Sequence, residues 1–133
     1  MKYLLDTNVC IRYINGRSQK LLLKLSKVPR RDVFVCSVVK AELFVGSAKS
    51  NNPATTLMKQ QDFLRRFVSL PFDDAAAVSY GRVRGQLEQQ GKPIGPLDMM
   101  IAAIALANQV TLVTSNTREF GRVPDLQLED WDA

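Results

Sequence analysis

Residues 95–116 read GPLDMMIAAIALANQVTLVTSN, and this stretch decides the fold. Pro96 suits the first position of a helix, where a missing N–H costs nothing. From there to about Asn108 the chain is apolar nearly all round. A helix of that kind is buried on every side, so it belongs in the centre of the molecule. A β-branched run, Val110–Thr114, follows almost at once and reads as a buried strand. Helix-then-strand with both elements apolar is the signature of layers built around a sheet.

Working outward, the same alternation repeats. Lys2–Asp6 (KYLLD) predicts a buried first strand, followed by a short helix to Ile14 that Gly16 ends. A basic helix is expected over about Gln19–Lys27 and a second strand at Asp32–Cys36 (DVFVC). Ser37 is placed to cap a helix through Val45, with Gly46 to stop it. KSNNPATT (49–56) is the clearest loop. Residues 54–68 read as a helix with Leu57, Leu64, Phe67 and Val68 broadly on one face, and Val68–Phe72 as a short strand. Asp73 or Asp74 caps a long helix to Gln90, with Ala76, Tyr80, Val83 and Leu87 as its apolar stripe. Leu126–Leu128 adds a last edge strand. The expectation is one α/β domain over residues 1–133, a three-layer α/β/α sandwich on a mainly parallel sheet.

Composition narrows the chemistry. The 133 residues include no histidine, which removes the commonest general base and transition-metal ligand. Cys10 and Cys36 form no CxxC pair and read as reduced, buried thiols. Any chemistry falls to carboxylates. Four of them sit where predicted strands end or helices begin: Asp6, Glu42, Asp98 and Glu119. Sites in parallel sheets lie beyond the carboxyl ends of the strands, so all four can converge on one edge. Grouped carboxylates repel and raise one another's pKa unless a cation joins them. Oxygen ligands favour a hard divalent ion, and Mg²⁺ in such a set would activate a bound water and polarise a phosphate.

The net charge is +5; setting those four acids aside leaves eighteen basic residues against nine acidic ones. A basic body around an acidic pocket suits a polyanionic substrate that must meet a metal. Arg17, Lys20, Lys24, Lys27 and Arg31 are spaced so that one helix would present most of them on one side, as a nucleic-acid contact or as a solvated face. The longest fully apolar run, Met99–Ala107, is nine residues, too short to span a bilayer. With an early charge at Asp6, these features lead to a cytoplasmic expectation.

LLDTN, an isolated Glu in the helix after VFVCS, IGPLDMMIAAIAL, and LVTSNTREF closing in LQLEDW together resemble the PIN-domain ribonucleases, and among them the VapC toxins of bacterial toxin–antitoxin pairs. The resemblance covers residues 2 to about 131. It implies a Mg²⁺- or Mn²⁺-dependent endoribonuclease that cuts structured RNA, with a tRNA favoured. It also implies a labile antitoxin that blocks the site, a toxin homodimer, and a larger assembly with the antitoxin. Asp6, Glu42 and Asp98 match the family's three core acids. At the fourth position Asn116 stands where many members carry Asp, and Glu119 follows three residues later. Either can complete the site, with one metal ion or two. Thr7, Asn8, Ser115 and Asn116 are candidates to hold the acids by hydrogen bonds. A haloacid-dehalogenase-type phosphatase needs an Asp where Asn8 stands, and a receiver domain needs adjacent acids that LLDTN lacks. A PIN-fold RNA-processing nuclease without a toxin role, or a non-catalytic RNA-binding module, are the remaining alternatives.

Overall fold

The computed structural model describes residues 1–133. The chain runs through β1 (Tyr3–Leu5), α1 (Thr7–Ile14), α2 (Gln19–Lys27), β2 (Val33–Cys36), α3 (Ser37–Ala48), α4 (Pro53–Leu64) and β3 (Val68–Leu70). It continues through α5 (Asp74–Gln89), α6 (Pro96–Asn108), β4 (Thr111–Val113), α7 (Thr117–Phe120) and β5 (Leu128–Glu129). All four strand pairings are parallel, in the order β3-β2-β1-β4-β5. Helices cover this sheet as an α/β/α sandwich. The strands step outward from β1 to β3, then resume on the other side of β1 with β4. The chain therefore changes direction between β1 and β4, and the crevice above that point is where parallel sheets place their sites.

The core follows the apolar pattern. Leu4, Leu5, Val33, Val35, Leu112 and Val113 fill the central strands. In α6, Met99, Ile101, Ala102, Ala103, Ile104 and Ala105 are all buried, as a helix without a polar face requires. Gln109 ends it in the left-handed conformation, at φ 55°. Along α5, Ala76, Val83 and Leu87 are buried with Tyr80 half-covered, which is the expected stripe. Asp73 caps that helix by accepting from the Ala76 N–H at 3.0 Å. Both cysteines are free and buried.

Local expectations differ at four points. The loop read over 49–56 gives way to α4 at Pro53, where proline suits the first helical position. Gly46 does not stop α3, which continues to Ala48 because its next inward residue, Ser47, is buried and its hydroxyl donates to Phe44 O at 2.9 Å. Packing outweighs the roughly 1 kcal/mol that a mid-helix glycine costs. Ser37 is the first helical residue rather than the cap; Cys36 holds the cap position without a side-chain bond. The helix expected over 54–68 ends at Leu64, because Val68, Ser69 and Leu70 pair with Phe34, Val35 and Cys36 as β3.

Candidate active site at the carboxyl edge of the sheet

Asp6 follows β1 directly. Its N–H donates to Val113 O at 3.0 Å, extending the β1–β4 ladder by one step. Its side chain is only 4% exposed and both carboxylate oxygens are engaged. Oδ1 accepts from the Thr7 N–H at 2.8 Å, which caps α1. Oδ2 accepts from Thr114 Oγ1 at 2.7 Å. Burial pushes this carboxyl above its ordinary range, the Thr114 and Thr7 bonds oppose that, and the nearby Glu42 charge adds to it.

Glu42 comes from α3, just beyond the end of β2, and its Oε1 accepts from Thr7 Oγ1 at 2.6 Å. Asp98 is in the first turn of α6, where the helix dipole favours a negative charge. Its pKa is nevertheless raised to about 6, first by burial and then by Asp6, Glu42 and Glu119. Repulsion from all three other acids places the four in one electrostatic neighbourhood. Glu119 lies in α7, and its Oε2 accepts from Asn116 Nδ2 at 3.4 Å. The Asn116 N–H donates to Thr114 Oγ1 at 3.0 Å.

No protein cation joins this group. The ion pairs of the fold are Arg12–Asp132, Arg65–Asp62 and Arg84–Glu88, and none involves a site acid. Nor are three or more His, Cys, Asp or Glu side chains gathered tightly enough to form a ready-made metal cage. A hard cation such as Mg²⁺ would need only one or two direct carboxylates, since it keeps several waters and takes substrate oxygens. The arrangement does not fit a structural transition-metal centre, which needs a closed set of nitrogen or sulfur ligands. Burial raises the Cys10 thiol and pushes Cys36 up to about 11, so both stay protonated and inert.

Among the expected supporting residues, Thr7 and Asn116 touch acids, while Asn8 and Ser115 are exposed and make no side-chain hydrogen bond to them. Sequence reasoning missed Thr114, one residue before Ser115. The signal was its place as the last residue of an apolar strand run, opposite the end of β1.

A parallel α/β sheet with acidic side chains set beyond the carboxyl ends of its strands is the class of fold and site this chain presents, and comparison with known proteins narrows it. Residues 3–126 match the PIN domain. The chain is 38% identical over 131 residues to the tRNA(fMet)-specific endonuclease VapC of Shigella flexneri, covering 98% of each chain. It is 38% identical over 133 residues to ribonuclease VapC2 of Rickettsia felis, covering 99% of each. The fold superposes on VapC-containing complexes: VapBC2 of Rickettsia felis bound to a promoter DNA fragment, at TM-score 0.93 with 99% of this chain and 100% of that chain covered and 38% identity, and DNA-bound VapBC of Salmonella typhimurium, at TM-score 0.93 with 98% of each covered and 35% identity. The chain belongs to the PIN-domain family, in its VapC ribonuclease branch.

Proposed function

We propose that this protein is the endoribonuclease toxin of a toxin–antitoxin pair and that it cuts a tRNA using Mg²⁺ or Mn²⁺. The observation that carries the reading is Asp98, repelled by Asp6, Glu42 and Glu119 with no internal cation beside any of the four, on an otherwise basic chain without histidine. Asp6, Glu42, Asp98 and Glu119 are the residues that would hold the ion. When bound, the ion supplies Lewis acidity for activating water and offsets charge on the scissile phosphate. The protein's part is placement. Asp6 is fixed by two hydrogen bonds, and Glu42 is held against Thr7. Attack by the 2′-OH with imidazole acid–base help has no residue to run it, so the expected products carry 5′-phosphate and 3′-hydroxyl ends. A tRNA is favoured because relatives at 35–38% identity bear the name tRNA(fMet)-specific endonuclease.

The antitoxin reading follows from the VapBC complexes that this fold matches. A cavity of about 370 Å³ lies between the end of α2 and the residues after α4, lined in part by Tyr13, Leu25, Val28, Arg66 and Phe67. Arg66 stands over the Phe63 ring and beside the Tyr13 hydroxyl, so its role there is partly structural. Arg17, Lys20, Lys24, Lys27 and Arg31 are exposed and outside every ion pair, which leaves them available to phosphates. No helix is long and apolar enough to cross a membrane.

The test is direct. Purified protein incubated with total tRNA should cleave it with Mg²⁺ or Mn²⁺ and stop on adding EDTA, with end mapping giving the cut site and end chemistry. Equal cleavage in EDTA overturns the metal-dependent reading. A homodimer is expected by light scattering at micromolar concentration, and a monomer there counts against that part.

A further inference from the structure

The hydrogen bonds of the site form one continuous chain: Glu119, Asn116, Thr114, Asp6, Thr7, Glu42. Three neutral residues thus link three of the four acids. Thr7 is the most economical of them, since it gives its N–H to Asp6 and its hydroxyl to Glu42, a residue 35 positions away. Thr114 is fully buried; it donates to Asp6 while accepting from Asn116. Asp98 stands outside the chain. It makes no side-chain hydrogen bond within the protein, and Gly95, one residue before the helix, lies against it, where even a methyl group would sit only 3.8 Å from Asp98 Oδ2.

We propose that Thr7 and Thr114 are positioning residues that lock Asp6 and Glu42, and through Asn116 also Glu119, into one rigid unit, leaving Asp98 as the acid free to close on the cation. This rests on the metal-dependent reading above. The division has a physical logic. A carboxylate held by protein donors, two at Asp6 and one at Glu42, keeps its place when the cation leaves, because those bonds offset part of the repulsion. A carboxylate without donors is placed only by what it binds.

Thr7→Val tests it, because valine keeps the N–H that caps α1 and removes only the hydroxyl. Mn²⁺ affinity, measured by calorimetry on the RNA-free protein, should fall about 10- to 100-fold, the usual effect of losing a ligand's hydrogen-bond partner. Thr7→Ser should restore affinity to within about twofold, because the donor returns. In a Glu42→Gln background, Thr7→Val should cost little more, since the bond it breaks no longer serves an ionised ligand. Crystal structures of wild type with and without Mn²⁺ should show the Asp98 carboxylate displaced while Asp6 and Glu42 superpose. Wild-type binding with an unchanged Thr7→Val affinity, or Asp6 and Glu42 moving as much as Asp98, overturns this inference alone. Absence of Mn²⁺ binding in wild type overturns both it and the functional reading.

Discussion

Asp132 and Asp98 are both partly covered carboxylates, and the fold treats them oppositely. Asp132, next to the last residue, receives the Ser18 hydroxyl and the Arg12 guanidinium. It thereby ties the tail to α1 and to the start of α2, while Trp131 packs edge-on against Tyr3. The Ser18 bond and the Arg12 charge hold its carboxyl below the usual range. Asp98 has neither a donor nor a cation, and its carboxyl is raised to about 6. The chain holds eighteen lysines and arginines, so the difference is not a shortage of positive charge. At the tail the fold satisfies a carboxylate to gain stability. At the sheet edge it keeps cations away from four of them, so that attraction is left for something that binds.

The largest effect should come from breaking the acid edge at its fixed member. Asp6→Asn keeps the size but removes the charge, and tRNA cleavage in Mg²⁺ should fall by at least about a hundredfold, more than loss of a supporting partner costs. Equal cleavage would remove Asp6 from the site. Next comes Gly121→Ala. A Cβ there would meet the Thr117 carbonyl oxygen at 2.6 Å, so α7 must shift and carry Glu119 with it. Cleavage should drop about tenfold while the melting temperature changes little, a smaller loss than at Asp6 because only one acid moves.

The pH dependence sharpens the contrast. Asp98 is raised, so folding favours its protonated form, and its ionisation weakens the fold as pH climbs from about 4 to about 6. Asp98→Asn should therefore melt higher than wild type at pH 7–8 without divalent ions, with the advantage gone near pH 4. Added Mg²⁺ should raise the wild-type melting temperature and narrow that gap. Asp132 is lowered, so its sign is reversed: its contribution is present above the ordinary carboxyl range and is lost as pH falls through its depressed value. Asp132→Asn should cost about 1 kcal/mol at pH 7, or roughly 5 °C in Tm, with cleavage nearly unchanged. A melting curve for Asp132→Asn that matched wild type at pH 7 would show that the tail clamp contributes nothing.

The layer architecture was legible because burial writes itself into apolar runs: α6 and β4 could be read directly from residues 96–114. The acids were legible because a charge at the end of a buried strand or inside an apolar helix stands out, as Asp6 and Glu42 do. What could not be read was pairing across the sheet. Thr114 looks like one more β-branched strand residue until β1 is set beside β4 and its hydroxyl meets Asp6. Val68 was similarly ambiguous, since helix or strand depended on whether β2 had a free edge to offer. Gly46 misled because local propensity was weighed without knowing that Ser47 packs inward.

The register of β1 against β4 bears on how the protein is made. Tyr3 pairs with Thr111, and Asp6 receives its hydrogen bond from a residue 108 positions later. Synthesis runs from the amino end, so Asp6 leaves the ribosome long before Thr114, Asp98 and Glu119 exist. Contacts this distant form only after the intervening loop closes. A growing chain therefore has no assembled acid edge until nearly its full length has emerged.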